Sequence, residues 1–246
     1  VSTLDALFFD IDDTLFSTSD FAASARRASI RAMIDAGLQA EEEQCFRELY
    51  EVIREFGPNF PKHFEKLLLR YPREKLGGVN PAIICASGVV AYHQTKDSEL
   101  RPYPDVVEAF QVLNSRGLRI GIITAGLATK QAEKLVRLDL LKYIDPRAIF
   151  ITDQMGIGKP NPKLYTTACH SLGLETFRCM YVGDRPVDDI DPAGSVGMVT
   201  VLNRRVSKPV SQAGSRLPDY QIYNFHDLLG ILRSDFELDR DIGTED

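Results

Sequence analysis

Six short apolar runs, most of them separated by segments of helical period, constrain this fold more than any other feature of the chain. They are Leu7-Phe8-Phe9, Arg119–Thr124, Ala148–Thr152, Cys179–Gly183, Met198–Leu202 and Tyr220–Tyr223. Each is continuous rather than alternating, and β-branched residues are common in them, which is the pattern of strands buried on both faces. Val106, Val107, Phe110 and Leu113 form one helical stripe that ends at Gly117. Asn161-Pro162 reads as an N-cap and first helical residue leading to Leu164, Ala168 and Leu172. Strands alternating with helices predict an α/β fold with a doubly wound, mostly parallel, Rossmann-like sheet.

The stretch from Ser17 to Leu100 breaks the alternation and reads as helices only. Phe46, Leu49, Tyr50 and Ile53 follow helical spacing before Gly57-Pro58, and Phe64, Leu67, Leu68 and Tyr71 repeat it before Pro72. A third helical pattern runs from Pro81 to His93. The expected organisation is therefore a catalytic core built from residues 1–16 and 101–233, interrupted after its first strand by an all-helical cap domain, 17–100. Arg101-Pro102-Tyr103-Pro104 reads as the stiff return link. Residues 234–246 are acidic and weakly apolar, and read as a solvated tail.

The net charge of −6 excludes a generally basic surface and with it nonspecific nucleic-acid binding. No apolar stretch is long enough to span a membrane, and no basic leader precedes the first strand. These features lead to the expectation of a cytoplasmic protein. Cys45, Cys85, Cys169 and Cys179 are widely spaced and form no CxxC pair, so they read as buried thiols.

The chemistry lies where the predicted strands end. Asp10, Asp12 and Thr14 follow the first strand, Thr124-Ala125-Gly126 the second, Gly158-Lys159 the third, and Gly183-Asp184, with Asp188 and Asp189 beyond, the fourth. In a parallel sheet these ends share one edge, so the groups can converge on one cleft. Several carboxylates in one pocket need a cation to offset them, and oxygen ligands without His or Cys select Mg²⁺ over zinc. A lysine, a threonine hydroxyl and turn amides add an anion clamp, the equipment for phosphoryl transfer. Gly158-Lys159 also mimics the tail of a P-loop, but Asp153 stands where the first glycine belongs and Pro160 replaces the Ser/Thr. His63 and His93 fall in the helical insertion, while His170 and His226 read as surface positions.

Asp10-x-Asp12-x-Thr14, Thr124, Lys159 and Gly183-Asp184-x-x-x-x-Asp189 resemble, in order and approximate spacing, the four motifs of the haloacid dehalogenase (HAD) superfamily. The helical insertion resembles the C1 cap of its subfamily I phosphatases. The resemblance covers nearly the whole chain and implies a Mg²⁺-dependent phosphatase acting on a small phosphorylated metabolite. It makes Asp10 the nucleophile that forms an aspartyl-phosphate, and Asp12 the residue that protonates the leaving oxygen and then deprotonates the hydrolytic water. Mg²⁺ would be held by Asp10, the backbone carbonyl of Asp12 and Asp184. Thr124, the Ala125 amide and Lys159 would bind the phosphoryl group. Asp189 and Thr14 would support the site from behind, Asp189 reaching the metal at most through water.

Two positions depart from the pattern. Ala125 stands where the family often has Asn, which removes a side chain but keeps the amide. Asp191-Pro192 stands where a glycine is common, and reads as an N-cap and first helical residue. A phosphomutase of the same superfamily is the alternative enzyme. A catalytically idle phosphate-binding protein or a phospho-acceptor signalling module is the alternative outside enzymes. The presence of Asp12 disfavours a dehalogenase, because those relatives resemble this pattern without the second acid.

Overall fold

A computed structural model describes residues 3–206 and 213–238. In chain order the elements are β1 (Ala6–Phe9), α1 (Thr18–Asp35), α2 (Glu42–Phe56), α3 (His63–Leu68), α4 (Pro81–Glu99), α5 (Pro104–Ser115), β2 (Arg119–Thr124), α6 (Ala128–Arg137), β3 (Ile149–Ile151), α7 (Thr152–Met155), α8 (Lys163–Ser171), β4 (Cys179–Gly183), α9 (Asp191–Ser195), β5 (Val199–Asn203), β6 (Tyr220–Ile222) and α10 (Phe225–Asp235). They form two compact units, one of Val1–Ser17 with Arg101–Asp246 and one of Thr18–Leu100.

In the first unit the strands pair in the order β3-β2-β1-β4-β5-β6, and every pairing is parallel. This is the doubly wound arrangement expected from the sequence. The chain runs outward from β1 to one edge through β2 and β3, then returns to the other side of β1 with β4. The order therefore reverses between β1 and β4, and the crevice beyond their carboxyl ends is the place where such sheets bind ligands.

Alternate residues of β1 bury on opposite faces. Ala6 and Phe8 join a core with Leu164, Tyr165 and Ala168 of α8 and with Ala193 of α9. Phe9 lies on the other face, its ring 4.9 Å from that of Phe110 on α5 and 5.8 Å from that of Phe225 on α10. All three rings are fully buried, and truncating one of them to alanine costs about 3–5 kcal/mol. Gly121 in β2 is required by this packing, because a Cβ there would lie 2.6 Å from the Phe8 ring. The rigid central strand is what fixes the position of the residue that follows it, Asp10.

The second unit is entirely helical. Its core contains Ile30, Met33, Leu49, Leu67, Leu68 and Ile84. Gly88 of α4 lets α1 approach, since a Cβ there would lie 2.9 Å from Met33 Cγ and Sδ. The expected stripes correspond to α2, α3 and α4. The long α1 carries no apolar stripe to predict it, because its buried face is Ala25, Ser29, Ile30 and Met33, half of it small or polar.

Two local expectations are corrected. Asp191 is not an N-cap. It is the first residue of α9, which continues without a break from a π-helical turn at Pro186–Ile190, and its carboxylate accepts hydrogen bonds from the backbone N–H groups of Ser215 and Arg216. The proposed solvated tail also starts too early, at residue 234. α10 runs through Ser234 and Asp235, and Leu238 is buried, its N–H donating to Leu232 O at 3.1 Å. Residues 239–246 of that tail lie outside the described residues. All four cysteines are free and buried. No helix among the described residues is long and apolar enough to cross a membrane.

Candidate active site

The site begins where β1 stops. Phe9 is level with Val182 of β4 and Ile122 of β2. Asp10 extends the ladder by one bond, its N–H donating to Val182 O at 3.0 Å. The chain then turns sharply, with Leu15 N–H bonded to Ile11 O at 3.0 Å and Asp13 in the left-handed region at φ 56°. Aspartate tolerates that conformation better than most residues. The turn holds Asp10 and Asp12 at the crevice between β1 and β4.

Lys159 binds the cluster together. Its Nζ lies 2.9 Å from Asp10 Oδ1, 2.7 Å from Asp189 Oδ1 and 2.7 Å from the Tyr181 hydroxyl. Three acceptors match the three protons of the ammonium. The Tyr181 oxygen accepts from Lys159, so its own proton is available to Ile123 O at 2.9 Å. Asp189 Oδ2 accepts from the N–H of Arg185 at 3.0 Å. The side chains of Lys159, Asp10 and Asp189 are only 4%, 9% and 1% exposed. Removing one member of such a dry ion pair costs about 3–5 kcal/mol, because the partner's charge stays behind. Burial works against the charge on Lys159, but Asp10 and Asp189 outweigh it and hold the lysine protonated.

Gly183 makes room for this arrangement. A Cβ at that position would lie 2.5 Å from Asp189 Cγ and Oδ2. The carboxylate of Asp189 rests on the bare α-carbon at the end of β4, which is why a glycine precedes Asp184.

Asp184 completes an acidic trio. One carboxylate oxygen from each of Asp10, Asp184 and Asp189 lies within 4.8 Å of the others. Asp184 Oδ1 is buried and has no hydrogen-bond partner among the described residues. Burial, reinforced by Asp10 and Asp189, pushes the Asp184 carboxyl up to about 8. Burial also pushes Asp10 up to about 6, with Lys159 pulling against it and Asp189 and Asp12 adding to it. An orphaned acid oxygen among crowded carboxylates fits a bound divalent cation, whose charge would relieve both the repulsion and the missing bond. The donor set is all oxygen, as a hard cation requires.

The other predicted residues occupy three settings. Asp12 is outside the trio, and its carboxylate is held by Lys134 Nζ at 2.6 and 2.7 Å and by Gln131 Nε2 at 3.1 Å. Thr124, at the end of β2, is fully buried with its hydroxyl unpartnered among the described residues, and Ala125 beside it is exposed. Thr14 is also fully buried, and its carbonyl accepts from Asn203 Nδ2 at 3.3 Å, tying the first loop to the end of β5.

Four residues escaped the sequence reading. Tyr181 sat inside an apolar run and looked like core, yet its hydroxyl reaches the buried lysine. Gln131 and Lys134 lie on one face of α6, a segment in which no residue stood out from the sequence. Asn203 closes a strand, and only its position at the shared sheet edge signalled a role.

The chain matches the family of haloacid dehalogenase-like hydrolases over residues 4–197. It is 41% identical over 232 residues to the glyceraldehyde 3-phosphate phosphatase of Methanopyrus kandleri, covering 93% of this chain and 97% of that protein. It is 36% identical over 228 residues to the glyceraldehyde 3-phosphate phosphatase of Methanocaldococcus jannaschii, covering 93% and 96%. Among solved structures, a HAD phosphatase from Thermococcus onnurineus superposes with a TM-score of 0.64 at 22% identity over 93% of this chain and 98% of that one. A 2-haloacid dehalogenase from Pseudomonas syringae does so with a TM-score of 0.61 at 22% identity over 94% and 99%. At that identity the two structures speak for the fold alone.

Proposed function

We propose that this chain, which belongs to the haloacid dehalogenase-like hydrolase family and is a phosphatase of it, removes phosphate from a small phosphorylated metabolite through an aspartyl-phosphate on Asp10, with glyceraldehyde 3-phosphate the first substrate to try. The observation that carries the reading is Lys159 bridging Asp10 and Asp189 beside the orphaned oxygen of Asp184. The choice of substrate rests on the phosphatases of Methanopyrus kandleri and Methanocaldococcus jannaschii, which this chain resembles along nearly its full length.

Asp10 attacks phosphorus, forming a phosphorus–oxygen bond as the ester oxygen departs. A carboxyl raised to about 6 remains ionised at neutral pH, and Lys159 favours that ionised form. Asp12 gives its proton to the departing oxygen, which leaves as an alcohol. Asp12 then takes a proton from water, whose oxygen attacks the phosphorus of the aspartyl-phosphate and frees Asp10 and inorganic phosphate. The unpartnered Thr124 hydroxyl is a donor in need of an acceptor, and a phosphoryl oxygen supplies one. The Ala125 amide would bind another oxygen, and Lys159, whose three protons go to Asp10, Asp189 and Tyr181, would hold the phosphoryl group through its charge. Asp10, Asp184 and the Asp12 carbonyl would hold Mg²⁺, which when bound neutralises charge on the phosphoryl group and on the carboxylates around it.

The test is release of inorganic phosphate from glyceraldehyde 3-phosphate, phosphoglycolate, sugar phosphates and nucleotides, with and without Mg²⁺. The reading expects Mg²⁺-dependent release from a small phosphate ester, and a loss of about 10⁴-fold or more in Asp10→Asn. An Asp10→Asn protein that turns over like wild type overturns the nucleophile. Isomer formation without phosphate release would assign a phosphomutase instead.

A further inference from the structure

α6 presents Gln131 and Lys134 on one face, three residues apart. Both close on Asp12. Lys134 Nζ reaches its two oxygens at 2.6 and 2.7 Å, while Gln131 Nε2 lies 3.1 Å from Oδ2 and 2.5 Å from the carbonyl of Ala125. Both acceptors of Gln131 require hydrogens, so its amide group has one orientation. That orientation leaves Gln131 Oε1 buried without a partner among the described residues, a cost that stability alone would not select. Gly126 makes the contact possible, since its φ is 141° and a Cβ there would lie 2.6 Å from Gln131 Nε2. A lysine and a glutamine thus converge on one carboxylate, a glycine leaves the glutamine room, and the Ala125 carbonyl that follows Thr124 is tied into the same knot.

We propose that Lys134 and Gln131 are positioning residues for proton transfer: they hold the Asp12 carboxylate in the orientation from which it serves the departing ester oxygen. The proposal rests on the reading of Asp12 as the acid. A loop aspartate free to rotate would present its proton in many directions, and misplacement by about 1 Å can cost ~10²-fold in rate. Lys134 and Gln131 together take both lone pairs of Oδ2, whereas Lys134 takes one of Oδ1, so within the clamp Oδ1 is the oxygen that carries the transferred proton. When Asp12 hands its proton to the leaving oxygen it becomes a carboxylate, and Lys134 offsets that new charge while keeping its own protons. When Asp12 later takes a proton from water, the same geometry serves in reverse.

The experiment compares two esters by kcat/KM, which reports the steps up to departure of the leaving group. One is the alkyl phosphate turned over fastest in the screen, whose alkoxide needs a proton. The other is p-nitrophenyl phosphate, whose phenolate leaves without one. Lys134→Met should lose about 10–100-fold on the alkyl ester and far less on the aryl ester. Lys134→Arg should recover part of the loss, and Gln131→Leu should shift the ratio in the same direction. Equal loss on both esters, or no loss on either, overturns the clamp. Gln131→Leu decides alone if Lys134→Met fails to fold. Asp12→Asn separates the two claims. If it does not discriminate between the esters while wild type releases phosphate, the acid assignment itself is wrong. If it discriminates and the Lys134 and Gln131 variants do not, only the clamp is.

Discussion

Asp184→Asn should stabilise the metal-free protein at alkaline pH while abolishing its response to Mg²⁺. An ordinary aspartate titrates near 3.8, whereas burial and its acidic neighbours push Asp184 up to about 8. The folded state therefore holds this proton more tightly than the unfolded state. Stability is kept at low pH and falls as pH rises from the unfolded value through the folded one. A full proton's difference is worth ~1.4 kcal/mol per pH unit, a ceiling of ~3 kcal/mol between about pH 5.5 and about pH 8. Asp184 is only partly buried, and solvent screening brings the effect down to about 1–2 kcal/mol. For a chain of 246 residues that is a change of about 2–8 °C in Tm. The assay is thermal unfolding of both proteins in chelator across that pH range, then again with Mg²⁺. The Tm of the variant should rise above that of wild type as pH increases, because Asp10 contributes to both and largely cancels. Added Mg²⁺ should raise the wild-type Tm at about pH 8 and leave the variant unmoved. Parallel pH profiles, or equal stabilisation by Mg²⁺, would refute the placement of Asp184 in a cation site.

Gly183→Ala forces a Cβ to 2.5 Å from Asp189 Cγ, so it should cost about 1–3 kcal/mol and displace the carboxylate that holds Lys159. Melting temperature and kcat should fall together, and a wild-type value for either contradicts the packing argument. Tyr181→Phe removes an acceptor of the buried ammonium and a donor to Ile123 O, and should destabilise by about 1–3 kcal/mol in denaturant titrations. An unchanged midpoint would mean that water replaces the hydroxyl.

The sheet was legible because its strands are buried on both faces and cannot tolerate polar interruption. Each apolar run became a strand within a residue or so of its expected ends, and the acids that end β1 and β4 stood out against them. α1 was not legible, since Ala25 and Ser29 bury as effectively as larger side chains without marking a stripe. Asp191 misled for a related reason. Asp-Pro is a capping signal, but the π-helical turn before it left no free helix end to cap, and the carboxylate was drawn to the Ser215 and Arg216 amides instead. In the site, Asp10 and Asp184 could be picked out because charges do not go to the ends of buried strands without cause, whereas Lys159 and Asp189, in the segments beyond β3 and β4, stood out only as parts of the set of four motifs. Tyr181 acts on Lys159, and Gln131 and Lys134 on Asp12, through contacts 22 to 122 residues distant in sequence, which no local pattern encodes.

The proposed reaction turns on a covalent bond between phosphorus and one carboxylate, that of Asp10 at the end of β1. Rapid acid quench during turnover, followed by borohydride reduction of any acyl phosphate and peptide mass spectrometry, looks for that bond directly. The account predicts homoserine in place of Asp10, appearing only with substrate and Mg²⁺. Reduction at Asp12 or Asp184, or phosphate release with residue 10 unaltered throughout, would contradict it.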